Sequence, residues 1–259
     1  MKIAVLIKQV PVSDSTFRPA ENELWIEEGQ IQYEMNENDS FALEEALLIK
    51  EKRGEGEVVV VCMGPSGRAP RVIREALAKG ADRAVHIVEE GPFETDPHQI
   101  AHILFESIQS ESFDLIFSGL QSVDLGMGQT GVLLGAMLGM STATLAMSTE
   151  IQEDKIRVKR ELESGWFQWL TLPLPASVSI QSGINTPRYP SLKGIMGAKK
   201  KEIKTINKTD LNLSEGLQKV TRIYNLETDK QTEYIEGDPD VQVARLMDIL
   251  KSEVKVLGA

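Results

Sequence analysis

The residues best placed to do chemistry lie in the stretch 118–139, SGLQSVDLGMGQTGVLLGAMLG. Asp124, Gln129 and Thr130 are interleaved there with Gly126, Gly128 and Gly131. An apolar strand candidate at 114–118 leads into the loop, and a helix candidate at 130–138 leaves it. A glycine-rich loop entering a helix exposes backbone N–H groups, and the helix dipole adds partial positive charge, so the chemistry offered is anion binding. The Thr130 hydroxyl is one more donor for a phosphate oxygen. The stretch reads as a phosphate-binding turn, against the plain alternative of a glycine-rich loop with no ligand.

Two other patterns compete for the same residues. Gly126, Gly128 and Gly131 spell G-x-G-x-x-G, but that dinucleotide fingerprint belongs directly after the first strand, with an acidic residue closing the second. Here it follows a late strand and a seven-residue loop, which argues against a standard NAD site. No charged residue occurs between Asp124 and Glu150. A membrane span needs about 20 predominantly apolar residues, and Gln129, Thr130, Ser141, Thr142 and Thr144 break this run. Gly131, Gly135 and Gly139 repeat at helical spacing, a stripe that lets a buried helix approach a sheet or a ligand closely.

The elements that must position this loop follow a regular rhythm. Residues 3–7 form an all-apolar, β-branched run typical of a strand buried on both faces. Residues 22–34, with Trp25, Ile26, Ile31 and Tyr33 around Glu28 and Gly29, predict a small inserted hairpin. A first helix begins near 38–40 and ends at Gly54. Strand 58–62, helix 71–79, strand 84–88 and a helix capped by Asp96 and Pro97 come next. Strands alternating with helices mean βαβ units and a parallel sheet, which binds ligands at the carboxyl ends of its strands. The candidate walls are therefore 6–8, 36–39, 62–64 and 119–131.

From about Thr142 the pattern changes. Residues 156–163 alternate like an antiparallel strand, Ser164 and Gly165 turn, and 166–170 answer. A further buried strand occupies 176–180, followed by PRYP at 187–190 and three lysines at 199–201. Read without context, those lysines are a solvated strand start. The remainder is polar apart from one helix after Asp238 and Pro239, an arm with little core of its own that would lie on another subunit.

Other catalytic patterns are missing from the sequence. His98 and His102 are four apart but lie opposite the apolar stripe, and a zinc site needs three or four placed ligands. They read as exposed histidines. There is no nucleophile elbow, no P-loop lysine pattern and no Cys–His pair. Lys8 can neutralise a phosphate or make a salt bridge. The chain offers ligand binding without visible catalytic apparatus.

Composition narrows the setting. The 259 residues fit one large domain or one with appendages, and 41% hydrophobic content is ample for a core. A net charge of -11 argues against nucleic acid or an anionic membrane surface. The single Cys62 sits in an apolar strand, which excludes a disulfide framework and fits a reducing compartment. The apolar run before Lys8 is only five residues long (3–7), too few for a secretory leader. The expectation is a cytoplasmic protein with no direct membrane insertion.

Across nearly its whole length the sequence resembles the β subunit of electron transfer flavoprotein. The family signature is matched by VKR at 158–160, Glu163, Gly165, Gln168, Leu170 and Pro175. Ser164, Trp166, Trp169 and Ser177 depart from its usual choices. NTPRYPSLKGIMGAKKK at 185–201 matches the family's partner-recognition loop and lysine run. KQVP at 8–11, Met35 with Asn36, EEA at 44–46, GAD at 80–82 and QTG at 129–131 match in order.

The resemblance implies a Rossmann-like doubly wound parallel sheet of the adenine-nucleotide-binding α/β type, with an antiparallel extension and a C-terminal arm. It divides the chain into a nucleotide-binding domain at 1–185, a recognition loop at 186–201 and an arm at 202–259 that packs on the α subunit. It implies a heterodimer whose α subunit mainly holds the redox-active FAD, so this chain is an electron-carrier subunit and not an enzyme. Electrons would pass from an acyl-CoA or related dehydrogenase toward a membrane quinone oxidoreductase. AMP would sit in this chain, in a site that holds a second FAD in bifurcating relatives. Matched by motif, its contacts are Leu6, Asn36, Glu37, Asn38, Asp39 and Met63. The loop adds Asp124, Leu125, Gly126, Met127, Gly128, Gln129, Thr130, Gly131, Val132, Leu133, Leu134 and Gly135. The partner-binding residues are Tyr189, Pro190, Ser191, Leu192, Lys193, Gly194, Ile195, Met196, Lys199, Lys200 and Lys201.

A reading of another class stays open from residues 1–145 alone. A parallel sheet with a late glycine loop also resembles universal stress proteins, which bind ATP as homodimers. Residues 158–201 have no counterpart there. An ATP pyrophosphatase would need a Ser-Gly-Gly loop after the first strand, which this sequence lacks.

Overall fold

Valine- and isoleucine-rich runs too short for helices, separated by amphipathic segments, leave the chain one way to bury both: strands in the middle and helices on either face. The computed structural model does this. It describes residues 1–91, 93–213, 215–226 and 232–256. They fall into two units, Met1–Ile223 and Tyr224–Ala259.

The first half of the chain gives β1 (Lys2–Ile7), β2 (Gln9–Pro11), β3 (Tyr33–Met35), α1 (Glu37–Arg53), β4 (Glu57–Gly64), α2 (Ala69–Lys79), β5 (Arg83–Val88) and α3 (Pro97–Ile108). Then come β6 (Leu115–Gly119), α4 (Thr130–Met137), β7 (Ser141–Ile151), β8 (Lys155–Glu161) and β9 (Phe167–Pro173). The series closes with β10 (Ala176–Ile180), α5 (Leu192–Ala198), β11 (Ile203–Asn207) and α6 (Pro239–Ser252).

Nine strands form one sheet in the order β11-β5-β4-β1-β6-β10-β7-β8-β9. Pairing is parallel from β11 to β7 and antiparallel for β8 and β9. In β1, Val5 lies between Val60 of β4 and Phe117 of β6. Successive strands run outward from β1 to β4 and β5, then return to its other side at β6. That reversal opens a crevice at the carboxyl ends of β1 and β6.

Alternate strand residues feed two cores. On one face Val5, Val60 and Phe117 join Leu43 and Leu47 of α1 and Ile73 and Leu77 of α2. On the other, Val59, Val61 and Ile116 join Ile103 and Leu104 of α3 and Leu134 of α4. Each such side chain contributes about 1.5–3 kcal/mol on burial. The helix ends carry the expected signals. Gly54 closes α1 at φ 73°, and the Asp96 carboxylate accepts from His98 N ahead of Pro97. In the unit 224–259, Asp238 accepts from the amides of Asp240 and Val241 at the start of α6.

The structure departs from the sequence reading in several places. Residues 22–34 do not fold into their own hairpin. Tyr33–Met35 pairs with Gln9–Pro11, and Ile26 bridges Pro19. The Glu28 carboxylate explains this, because it accepts from Trp25 Nε1 and Tyr33 Oη (both 2.9 Å) and from Arg68, holding the loop with side chains instead of a ladder. His98 and His102 are half-buried, not exposed, and His102 Nε2 lies 3.8 Å from Glu106 on the same helix. Residues 192–198, read as part of a recognition loop, form a short helix whose Ser191 hydroxyl accepts from Gly194 N at 3.0 Å. Residues 203–207, which have no strand assigned in the sequence reading, join the sheet edge beside β5.

Candidate functional site

The crevice at the reversal point is a cavity of ≈ 550 Å³. Its floor comes from Leu6 and Ile7 of β1, Val61 and Met63 of β4, and Ser118 and Gly119 of β6. One side is the 120–129 loop and the start of α4. The opposite side is the 9–36 loop with Arg68 and Phe93. Cavities of this size with mostly apolar walls and a few convergent polar groups are the usual form of small-molecule sites.

The first turn of α1 holds the glycine loop in place. Asn36 donates from Nδ2 to Gln121 O (3.0 Å) and accepts from Val123 N at Oδ1 (3.1 Å). Asn38 donates to the same Gln121 carbonyl. The buried Asp39 carboxylate accepts from Lys8 N (2.7 Å) and Gly119 N (3.1 Å), tying the ends of β1 and β6 together. Burial pushes this carboxyl up to about 7, against the Asn36 and amide hydrogen bonds that favour its ionised form.

At the lip, Lys8 Nζ lies 2.7 Å from Asp124 Oδ1 and 3.3 Å from Ser122 Oγ. Burial works to raise the Asp124 carboxyl, and the Lys8 ammonium with its hydrogen bond overrides it and holds the group below its usual range. Lys8 therefore reaches the cleft already paired. The cleft's positive end is the start of α4, where Gln129 supplies no side-chain cap to the first turn. Gln129, Thr130, Gly131 and Val132 all line the cavity. Gly126 and Gly128 hold φ 63° and 64°, a left-handed backbone suited to glycine.

The glycine stripe of α4 faces the sheet. A Cβ on Gly131 would lie 2.3 Å from Ser118 Oγ, and one on Gly135 would lie 2.6 Å from Ser177 Cβ. Ser177 also donates to Gly131 O at 2.9 Å. Close helix–sheet contact, not ligand contact, fixes Gly135.

Of the residues singled out in the sequence, Leu6, Asn36, Asp39, Met63, Asp124, Leu125, Met127, Gly128, Gln129, Thr130, Gly131 and Val132 line the cavity. Glu37, Asn38, Gly126, Leu133, Leu134 and Gly135 do not; Leu134 is fully buried behind the site. Cys62, offered as a wall, is fully buried in the sheet. The sequence reading missed Trp25, Glu28, Tyr33, Arg68 and Phe93, which form the far wall. The Arg68 guanidinium sits 4.0 Å from the Tyr33 ring centre and 5.0 Å from that of Phe93. Burial and the bond to Glu28 push the Tyr33 hydroxyl up to about 12. The only signal was the clustering of Trp25, Glu28 and Tyr33 in one insertion.

The second candidate segment lies elsewhere on the surface. Tyr189, Leu192 and Met196 are 93%, 82% and 73% exposed, and Lys199 and Lys200 are exposed beside them. Lys201 turns inward, its ammonium donating to Leu77 O (2.9 Å) and Ala81 O (2.5 Å). Among the described residues no group of three His, Cys, Asp or Glu is placed to hold a metal, and no helix is long and apolar enough to cross a membrane.

An open, mostly parallel sheet with a cleft at its reversal point defines a ligand-binding α/β protein. The model of the electron transfer flavoprotein domain matches residues 23–211. The electron transfer flavoprotein subunit beta of Methylophilus methylotrophus is 36% identical over 260 residues, covering 96% of this chain and 98% of its own. That of Bacillus subtilis (strain 168) is 35% identical over 99% and 100%, and that of Homo sapiens 35% over 82% and 84%. The chain belongs to the electron transfer flavoprotein family, among its β subunits, whose function is electron transfer. The universal-stress alternative is thereby set aside. β subunits of this family pair with an α subunit.

Proposed function

We propose that this chain is the β half of a heterodimer that takes electrons from an acyl-CoA-type dehydrogenase and passes them toward a membrane quinone oxidoreductase. The α subunit mainly holds the FAD, which supplies the one-electron and two-electron chemistry. This chain binds AMP structurally, docks the dehydrogenase through 186–201, and works in the cytoplasm. The observation that carries the AMP assignment is the uncapped start of α4 facing a largely apolar cleft. Thr130 and the adjoining amides suit a single terminal phosphate, while Leu6 and Met63 suit an adenine face. Lys8 is taken by Asp124, which leaves the helix start as the anion's main partner.

One observation favours a second reading. The cavity continues past the glycine loop to Trp25, Tyr33 and Phe93, room that a dinucleotide such as a second FAD would use. Denaturing the purified heterodimer and counting nucleotides by chromatography separates the two. One FAD and one AMP per heterodimer is the expected result. Two FAD and no AMP would install the second reading, and no flavin at all would overturn both.

A further inference from the structure

Among the described residues of the unit 1–223, the most exposed large apolar side chains, Tyr189, Leu192 and Met196, sit on a short segment braced by several hydrogen bonds to the body of the unit. Residues 189–198 carry Tyr189, Leu192, Ile195 and Met196, all facing solvent. A seven-residue helix with two glycines has little stability of its own. It is held in place from outside. At its entry, Arg188 donates from its backbone N to Glu44 Oε2 (3.0 Å) and from Nε and Nη2 to the same carboxylate (2.8 to 3.1 Å). Its Nη2 and Nη1 also reach Glu51, one of them at 3.0 Å. Glu44 is buried, and Arg188 is its ion-pair partner, so removing the guanidinium would strip a buried group of its counter-ion. Midway, Gly194 lies so close to α2 that a Cβ would stand 2.2 Å from Ala78 O. At the exit, Arg74 donates to the carbonyls of Ala198 and Lys201.

Such bracing does nothing to bury the apolar side chains. Its effect is to remove the backbone freedom that docking would otherwise have to suppress, and preorganisation of that kind raises affinity without adding a contact. We infer that Arg188, seated on Glu44 and Glu51 of α1, is a positioning residue that holds the Leu192 face ready for the partner; the inference rests on the docking role proposed above for 186–201. Arg188 acts on the partner only through Leu192 and its neighbours. A lysine at 188 keeps the charge but loses the fork that grips two carboxylates.

The test uses the purified complex as electron acceptor for an acyl-CoA dehydrogenase reduced by its acyl-CoA substrate. Arg188→Lys and Glu51→Gln should raise KM for the complex about 3- to 10-fold with kcat unchanged, the size expected from releasing one or two held groups. Amide hydrogen exchange across 189–198 should speed up in both variants, and Arg188→Lys should add little to Leu192→Ala. Unchanged exchange would overturn the inference. So would a full Arg188→Lys effect persisting on the Leu192→Ala background, which would make Arg188 itself a contact. If Leu192→Ala alone leaves KM unchanged, the docking role falls instead, and the exchange measurement still decides whether Arg188 orders the segment.

Discussion

Asp39 Oδ1 occupies the space that a side chain on Gly119 would need: it accepts from Gly119 N at 3.1 Å, and a Cβ there would lie 2.3 Å from it. The Asn38 Cβ and carbonyl carbon would be 2.7 and 2.8 Å away. Gly119 is required for room and not for an unusual φ. Gly119→Ala should therefore destabilise the fold by about 1–3 kcal/mol, as overpacking of a closed site does. Gly67→Ala, where nothing lies within 4 Å, should stay within about 0.5 kcal/mol. Urea unfolding of both variants checks the contrast, and equal costs would mean that Asp39 does not clamp Gly119 in this way.

The same carboxyl makes stability pH-dependent. Its ordinary value is 3.8, and burial raises it to about 7 in the folded chain. Below about pH 4 the group is neutral in both states, so it carries no penalty. Between about pH 4 and 7 the unfolded chain ionises it while the folded chain keeps its proton, so stability falls as pH rises through that window and levels off above it. The total is at most roughly 4 kcal/mol, because each tenfold change in proton affinity is worth about 1.36 kcal/mol. The difference in unfolding free energy between the native chain and Asp39→Asn, measured from pH 4 to 8, isolates this slope from other groups. A flat difference would mean the carboxyl is ionised throughout.

How much of this was legible beforehand depends on where each element gets its stability. EVVVVCMG reads as a buried strand because its own side chains fill both cores. The glycine loop was visible because glycine marks a left-handed backbone and close approach wherever it falls. The 12–33 loop was not, since its organiser is a salt bridge between Glu28 and Arg68 forty residues later. LKGIMGA has poor helix propensity, and only Ser191, Arg188 and the back of α2 make it helical. Lys201 looked like its two neighbours because nothing local records that two carbonyls at the end of α2 wait for its ammonium.

If AMP occupies the cleft, Thr130 is its most informative contact. The side chain is half-buried in the first turn of α4, beside amides that Gln129 does not cap. Thr130→Val keeps the shape and removes the hydroxyl. Losing one hydrogen bond to a charged group costs roughly 1.5–3 kcal/mol, so AMP should be lost during gel filtration while the fold, followed by circular dichroism, stays intact. Undiminished AMP in the variant would place the phosphate elsewhere.

Three consecutive lysines should behave as two plus one. Lys199 and Lys200 are exposed beside the Leu192 face, where positive charge steers a partner during approach and is screened by salt. Lys201 is half-buried, and its ammonium donates to the carbonyls of Leu77 and Ala81 at the end of α2. A cation there completes hydrogen bonds and meets the negative end of the helix dipole, an arrangement worth up to about 2 kcal/mol in partly buried geometry. Replacing both Lys199 and Lys200 by Ala should flatten the salt dependence of the association rate with the dehydrogenase and leave the melting temperature unchanged. Lys201→Met should do the reverse, lowering the melting temperature while the salt slope persists. Stopped-flow association at several salt concentrations, paired with thermal melts, reads both effects. Should Lys201→Met flatten the salt slope as strongly as the other pair, its inward geometry would not hold in the working complex, and all three lysines would belong to the docking surface.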